Sequence, residues 1–391
     1  MLERLRKRRA ATARRGTSRN PHWDNIRFLS GTLVLFVHMT NELSRLELFH
    51  WLYMSTWAMR VPAFVIVAGY FSRADALTNR EARRLIESIL VPYLLIGLLH
   101  TAQMGRAPDG EFRFHIVEPA WGMWFLLSLM CWRMALPYLA RLRYPMATSV
   151  LVALVAGYVS DFGTAGSLSR TLSFLPFFLL GWKLRQGLFA RELRAAWTKP
   201  AAVGVLATTF LVMAYAHLDI SANWLRMKGP YEGGAPWQDP FAWTIRGAVL
   251  LGGMVVALSF VRLVPRRRLP VITYLGAGGL YIYLLHPLVL RPLQDRGALD
   301  WIDSNLDQVA MLGLAFVLAT VLASPPVRWL ARPLVQPRLP WLFRAEPAPP
   351  AGPDRPGEGQ RTRVTDSQIP IAPSTVLPDP GEAPALAGPR S

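Results

Sequence analysis

Four ionisable side chains lie in one apolar segment, DNIRFLSGTLVLFVHMTNE, at residues 24–42. Arg27 and His38 are 11 positions apart, a spacing that brings both to one face of a helix, about 16 Å from each other. Asp24 lies one turn before Arg27 on the same face. Glu42 likewise lies one turn after His38. Because ionisable groups are costly in hydrocarbon, this stripe indicates a functional site that faces a protein interior or a wet cavity.

His38 is the candidate catalytic residue of this stripe. An imidazole titrates near neutral pH and can take a proton from a substrate hydroxyl as a general base. The carboxylate of Glu42 could fix the tautomer of the ring and support its cationic form during proton transfer. The alternative is a buried histidine that hydrogen-bonds to a neighbouring helix, which is common in membrane bundles. The spacing alone leaves both interpretations open.

A cluster of arginines follows the second apolar run, in NREARRLIESILVPY at residues 79–93. The cluster consists of Arg80, Arg83 and Arg84. Because Arg83 and Arg84 follow Arg80 by three and four positions, the three side chains can present one cationic surface. Guanidinium groups suit phosphate because their planar donor fork matches its oxygens. The alternative is that these arginines only set the membrane topology. Glu87 lies one turn further on and can neutralise part of the cluster.

A third candidate, His286, lies in the segment YLGAGGLYIYLLHPLVL. It directly precedes Pro287 and follows the glycines Gly276, Gly278 and Gly279, which permit close approach of another helix or a distorted backbone. A structural role for this histidine is the simpler interpretation, and a place in the site is the alternative.

The composition indicates a membrane protein. Of the 391 residues, 52% are hydrophobic and 17% are charged, and the apolar residues form runs close to the length that spans a bilayer. The net charge of +18 is explained by basic residues between these runs, so no nucleic-acid partner is expected. The single cysteine, Cys131, excludes an intrachain disulfide and a cysteine-based metal site. No metal is therefore expected.

The apolar runs predict an all-α fold, a polytopic membrane helix bundle of ten spans. These spans lie at about 26–43, 52–72, 84–102, 121–140, 146–160, 170–187, 200–217, 241–262, 270–291 and 309–330. Basic residues concentrate in alternate connections, whereas the other connections hold most of the aspartates. Because cytoplasmic loops are enriched in Lys and Arg, this alternation predicts that both termini are cytoplasmic.

The chain divides into three predicted regions. Residues 1–22 form a basic cytoplasmic arm that is predicted to be disordered, and residues 23–344 form the transmembrane domain. Residues 345–391 are rich in Pro, Gly and Ala, and they are predicted to be disordered because they lack the apolar content to pack. The longest outer connection, at about 218–240, is either a lid or acceptor-binding loop over the outer face, or a solvated loop.

Several motifs, in this order, resemble the acyltransferase 3 family of integral-membrane O-acyltransferases, and within it the fucose 4-O-acetylase-like branch. They are DNIRFLSGTLVLFVH, MRVPAFVIVAGYFSR, the arginine pair before ILVPYLL, MWFLLSLMCWR, SFLPFFLLGWKLR and YLGAGGLYIYLLHPLVL. The resemblance runs from about Trp23 to Arg332. It implies ten core helices in a multi-pass protein of the cell membrane, the cytoplasmic membrane of a bacterium.

The resemblance also implies the substrates and their contacts. The donor is an acyl-CoA, with acetyl-CoA as the expected co-substrate, and it enters from the cytoplasm. The acceptor is a sugar hydroxyl on a glycan, a lipid-linked sugar or a small glycoside. By position, His38 matches the family's proposed catalytic histidine and Arg27 its paired basic residue. Arg80 and Arg83 match the spacing of arginines that would contact the donor phosphates, and Arg84 lies beside them.

Asp24, His286 and Trp124, the last in the MWFLLSLMCWR motif, are further candidates for this site. The chain departs from the family pattern at Met59-Arg60-Val61-Pro62, where His-Met-Pro is frequent. A transporter or flippase of a glycan or lipid-linked intermediate is the alternative function, in which the buried histidine and arginine would bind substrate or relay protons. The ordered motifs favour the enzyme.

Overall fold

The fold is described from a computed structural model, in which the described residues are 20–43, 46–104, 121–159, 167–231, 240–299 and 301–343. The predicted basic arm up to residue 19 and the predicted tail at 345–391 lie outside these residues. Within the described ranges the chain is all-helical and contains no strand. The predicted all-α class is therefore confirmed for this part of the chain.

The longer helices of the described chain carry most of the bundle. They are α1 (Pro21–Thr40), α2 (Glu47–Ser55), α3 (Trp57–Tyr70), α4 (Asn79–Leu85), α5 (Val91–Met104), α6 (Trp124–Leu139), α7 (Pro145–Val155), α8 (Leu168–Arg185), α9 (Thr198–Ala216), α10 (Ala222–Arg226), α11 (Ala242–Leu263), α12 (Ile272–Leu275), α13 (Gly279–Gln294), α14 (Asn305–Ala323), α15 (Pro325–Leu330) and α16 (Arg332–Val335). A π-helical turn, Ile86–Leu90, joins α4 to α5, and a 3-10 turn, Gly276–Gly278, joins α12 to α13.

Six helical segments of the described chain are long and apolar enough to cross a bilayer. They are Glu47–Tyr70, Asn79–Gln103, Thr198–Ala216, Ala242–Leu263, Ile272–Gln294 and Asn305–Ala323. Two shorter apolar helices, Trp124–Leu139 and Pro145–Tyr158, accompany them. Each of the ten predicted spans coincides with a helical segment, but ten membrane crossings stay a prediction. Helices α1 and α8, which match the two remaining spans, are enriched in charged and polar residues and lie mostly buried in the bundle.

Helix α1 lies at the centre of this arrangement, packed against α3, α12, α13 and α14. It begins at Pro21, earlier than the predicted span, because Asn20 caps it and proline is well suited to the first helical position. The side-chain oxygen of Asn20 accepts a hydrogen bond from the His22 amide at 3.1 Å. The polar helix predicted to organise the chain is thus held on several sides by its neighbours.

Glycines permit the closest helix crossings. A Cβ atom at Gly69 of α3 would collide with the backbone of α8 at Phe178, and one at Gly181 of α8 would collide with the backbone of α3 at Ile66. Small residues at such crossings let two membrane helices approach to backbone contact. These two glycines fix α3 against α8, and both helices contribute walls of the cavity described below.

The predicted close approach at the Gly276, Gly278 and Gly279 stretch is confirmed. A Cβ atom at Gly276 would collide with the backbone of Asp24 in α1, and one at Gly279 would lie 3.1 Å from the Cβ of Arg27. The glycines therefore bring the start of α13 directly against α1.

Apolar side chains cover the outside of the bundle as well as its interior. Exposed examples are Leu211 on α9, Leu251 on α11 and Val317 on α14. A helix surface that is apolar and exposed in this way is suited to contact with lipid tails. The fold is consequently that of a multi-pass membrane protein.

The predicted cytoplasmic connections lie together at the end of the bundle where α1 begins. The Asn25 side chain donates to the carbonyl oxygens of Pro265 and Arg267 at 2.8 and 3.2 Å. Arg185 donates to the carbonyl oxygen of Ser72 at 3.4 Å. The grouping of these connections at one end agrees with the charge alternation, while the side of the membrane on which they lie stays a prediction.

Candidate active site

A cavity of about 490 Å³ lies at the other end of α1, around His38. Its walls come from α1, α2, α3, α6, α8, α10 and α13. The size falls within the range of sites for small organic ligands, which is roughly 300–1,000 Å³. His38 is partly exposed, so its imidazole is accessible from this space.

The imidazole of His38 lies beside that of His286, with ring centroids 5.0 Å apart and the ring planes at 40°. Nδ1 of the fully buried His286 is 3.0 Å from the carbonyl oxygen of Ile282. Because a carbonyl oxygen can only accept, this nitrogen carries a proton. In the neutral ring Nε2 is then an acceptor, and it has no hydrogen-bond partner among the described residues. His286 therefore belongs to the surroundings of His38.

Two further contacts fix the helices that carry these histidines. Gln294 of α13 donates to the backbone carbonyl oxygen of His38 at 2.9 Å, which satisfies an acceptor near the end of α1. Pro292 removes the amide that would otherwise bond to the Leu288 carbonyl. Gln103 of α5 donates to that carbonyl oxygen instead, at 2.8 Å. The end of α13 is thereby tied to both α1 and α5.

Five cationic side chains line the same cavity. They are Arg60, Arg170, Arg226, Lys228 and Arg291. No Asp or Glu is among the described residues of the lining. Arg291 pairs with Asp295 at 3.1 Å, outside the cavity lining. The described walls therefore present a strongly positive surface next to His38.

Arg60 is the most deeply buried of these cations, with 3% of its surface exposed. Its Nη2 donates to the carbonyl oxygen of Tyr53 at 2.7 Å, and its guanidinium carbon lies 4.6 Å from the centre of the Tyr53 ring. Its Nη1 is buried and has no hydrogen-bond partner in the described part of the chain. A buried arginine with an unused donor is costly unless a ligand or a water molecule completes its bonding.

Aromatic rings hold two other arginines at the cavity. The Nε of Arg226 donates to the Tyr53 hydroxyl at 2.9 Å. The guanidinium carbon of Arg170 lies 5.0 Å from the centre of the Trp124 ring. These contacts restrain the side chains without neutralising their charge. Trp124, a candidate from the sequence, thus lies in the cavity wall next to Arg170.

The connection predicted at about 218–240 contributes to the cavity in its described part. Leu225 and Met227 are buried in the bundle, and Arg226 and Lys228 line the cavity. The Tyr231 amide donates to the carbonyl oxygen of Gly157 at 2.7 Å. The part of this connection up to residue 231 is therefore packed against the bundle. Residues 232–239 are not among the described residues.

Asp24 and Arg27 lie at the opposite end of α1, away from this cavity. Their side chains pair at 3.1 Å, and Asp24 is buried. The guanidinium carbon of Arg27 lies 4.4 Å from the centre of the Phe71 ring. The structure thus places Arg27 and His38 at the two ends of one helix and not in the lining of one described cavity.

A second cavity, of about 290 Å³, lies beside the Phe71 ring that Arg27 contacts. It is lined by Phe71 together with Arg73, Arg84 and Arg133. The charges of Arg133 and Arg27 are close enough to interact, and Nε of Arg133 is buried with no hydrogen-bond partner among the described residues. Asp75 and Glu81 also line this cavity, so its charge is mixed.

The three arginines predicted to contact the donor are placed differently. Both Arg80 and Arg84 are exposed, but Arg84 lines the second cavity and Arg80 does not. Arg83 pairs with Glu87 at 3.1 Å and stacks on the Phe343 ring at 4.8 Å. Only Arg84 therefore lies in the described walls of a cavity.

Glu42 lies in a 3-10 turn, Asn41–Leu43, after α1, but its side chain is outside the described residues. Its predicted contact with His38 therefore stays a prediction. No group of three potential metal ligands occurs in the described ranges.

Several residues that line the cavity around His38 were not predicted from the sequence, notably Arg170, Arg226 and Lys228. Their signal was nevertheless present, because they are basic residues at or near predicted outer connections, where positive charge is normally scarce. Arg60 gave another signal, since an arginine inside an apolar span is costly and usually functional.

The fold and the cavity define a multi-pass membrane protein with a histidine in a positively charged site. Residues 20–324 match the model of the acyltransferase 3 family (Acyl_transf_3), described as an acyltransferase domain. The chain belongs to this family and is a membrane acyltransferase. No curated protein and no solved structure matched the chain. The family favours the enzyme over the transporter, while the fucose 4-O-acetylase-like branch stays a prediction.

Proposed function

We propose that the protein transfers an acyl group, with acetyl as the expected one, from acyl-CoA to a hydroxyl of a sugar or glycan-type acceptor. The observation that carries this proposal is the accessible His38 in a cavity large enough for a sugar. The family match supports acyl transfer as the reaction. The cell membrane, with the α1 start on the cytoplasmic side, is the proposed location.

In the proposed reaction, His38 acts as general base on the acceptor hydroxyl. The hydroxyl oxygen attacks the thioester carbonyl carbon as His38 takes the proton, and the carbon–sulfur bond then breaks. The proton passes from His38 to the departing thiolate. Transient acylation of His38 is the alternative route, since histidine can form covalent intermediates. Both routes need an imidazole at this position.

The donor phosphates are proposed to bind near Arg84 and Arg133, in the second cavity. This cavity lies near Arg27, which is separated from His38 by about 16 Å along α1. An extended acyl-CoA that is bound there through its phosphates has its thioester at the opposite end of the molecule. The positions of the two cavities therefore suit a donor and an acceptor that approach His38 from opposite sides of the membrane.

The experiment that tests this function uses purified protein and acetyl-CoA labelled in its acetyl group. We expect label to appear on a glycoside acceptor, at a rate that depends on both substrates. Mass spectrometry of the product checks that one acetyl group has been added to a hydroxyl. Failure to transfer from any acyl-CoA to any acceptor of a broad glycan panel would contradict the proposed substrates.

A further inference from the structure

The cavity around His38 contains more positive charge than a neutral sugar requires. Sugar hydroxyls both donate and accept hydrogen bonds, so a neutral sugar is usually bound by donors and acceptors together. The side chains of arginine and lysine can only donate. Arg291 is paired with Asp295, but the other four cations of the lining have no carboxylate partner among the described residues. This imbalance points to a ligand that brings negative charge of its own.

The unused donor of Arg60 strengthens this conclusion. Arg60 is nearly inaccessible to solvent, it lines the cavity, and its Nη1 has no described partner. Removing a guanidinium from water is costly, and a well-placed counter-charge offsets part of that cost. Arg60 and Arg226 each contact Tyr53, so the same residue fixes both. Tyr53 thus holds both guanidinium groups at the cavity.

Several guanidinium groups on separate helices suit a compact anion. Arg60 comes from α3, Arg170 from α8 and Arg226 from α10. Each has one side occupied by a ring or an oxygen, which leaves its other N–H groups for a ligand. Oxygens of a phosphate or a carboxylate accept such bonds in a charge-assisted manner.

The donor is the other possible source of an anion, but the geometry points to the acceptor. The second cavity, with Arg84 and Arg133, lies at the opposite end of α1 and provides a separate place for donor phosphates. Arg226 and Lys228 belong to a connection on the predicted outer side, where a glycan acceptor would arrive. Electrostatic attraction by exposed cations at that mouth would also speed the capture of an anionic acceptor.

We propose that the acceptor carries an anionic group, a phosphate or a carboxylate, that binds to Arg60, Arg170 and Arg226 while its hydroxyl lies against His38. This inference rests on the proposed function for the role of His38. It narrows the acceptor class from sugars in general to phosphorylated or acidic sugars and their glycans.

The test measures binding without any acyl donor. Purified protein is titrated with glucose 6-phosphate, glucuronic acid and glucose at constant ionic strength. We expect at least one anionic sugar to bind roughly tenfold more tightly than glucose, the size of one charge-assisted hydrogen bond. Arg60→Gln and Arg226→Gln should remove this preference, and the exposed Arg226 provides the variant that is safest for folding.

Arg143→Gln is the matched control, because Arg143 is exposed and stacks only on its neighbour Tyr144 among the described contacts. It should bind the anionic sugars as the unmodified protein does. Equal binding of all three sugars would overturn the inference, as would a preference that survives both Arg60→Gln and Arg226→Gln.

Transfer kinetics separate the two sources of the anion. Arg226→Gln should raise the KM of the acceptor and leave the KM of acyl-CoA unchanged. If it raises the KM of acyl-CoA alone, the cavity holds donor phosphates and the inference is wrong. Anion binding that persists in a protein with no acyl transfer would contradict only the proposed function, because binding is measured without the donor.

Discussion

The imidazole rings of His38 and His286 lie 5.0 Å apart, although they belong to α1 and α13. His286 is fixed by the carbonyl of Ile282, whereas His38 lines the cavity. The two histidines therefore differ in their surroundings, since His38 lies in the cavity wall and His286 is fully buried beside it. A second histidine pair, His50 and His217, has ring centroids 5.4 Å apart and does not line this cavity.

Replacing His38 with alanine should remove acyl transfer. Loss of a general base typically costs about 10²–10⁴-fold in rate, and a route through acylated His38 would also be lost. The measurement is label transfer from acyl-CoA by protein that elutes as a single species in detergent. His50→Ala is the control, because it removes one ring from the other histidine pair and should keep its activity. Retained activity in His38→Ala would remove this residue from the mechanism.

Replacing His286 with glutamine should lower kcat and leave both KM values nearly unchanged. The ring of His286 lies 5.0 Å from that of His38, so its replacement is expected to shift the His38 imidazole. A misplaced base can cost roughly a hundredfold in rate. Steady-state kinetics at saturating donor and acceptor measure this effect. A change in the acceptor KM with a normal kcat would instead indicate that His286 only shapes the binding space.

Replacing Arg84 or Arg133 with glutamine should raise the KM of acyl-CoA by about tenfold, since each would lose one charge-assisted contact to phosphate. Arg83→Gln should raise it less, because Arg83 is already engaged by Glu87. The exposed Arg143→Gln again provides the charge-matched control. If the donor KM is unchanged in both Arg84→Gln and Arg133→Gln, the second cavity is not the phosphate site.

Replacing Gly181 with leucine should destabilise the bundle, because its Cβ would collide with the backbone of α3 at Ile66. Overpacking at such a contact costs about 1–3 kcal/mol, and a backbone cannot move aside easily. Thermal unfolding in detergent, followed by size-exclusion chromatography, measures the loss. Gly204→Leu on α9 is the matched control, since nothing lies within 4 Å of its added Cβ. Equal melting temperatures for the two variants would contradict the role of the α3–α8 crossing.

Much of the architecture could be predicted because it depends on local properties of the chain. Apolar runs, glycines and caps act over a few residues, and so the predicted spans coincide with helical segments of the described chain. A close helix approach at Gly276 and Gly279 was predicted for the same reason, whereas the structure identifies α1 as the neighbouring helix. The number of true membrane crossings and their direction depend on the bilayer and stay predictions.

The site was predicted less completely. The sequence singled out His38 because a histidine in an apolar helix is unusual in itself. It could not show that Arg170 and Arg226 lie in the same cavity, since contacts between distant helices leave no periodic pattern. It also treated Arg83 and Arg84 as equivalent, whereas pairing with Glu87 and stacking on Phe343 separate them.

The sequence by itself determined that this is a helical membrane protein with an ionisable stripe on its first helix, and its ordered motifs indicated the acyltransferase 3 family. These conclusions need only composition, spacing and the cost of charge in hydrocarbon. Only the tertiary structure decided that Arg27 does not line the cavity around His38, and that His286 and a set of arginines surround His38. Side chains from seven helices line that cavity. Helix packing brings these helices together, and no local pattern in the sequence specifies which helices pack against each other.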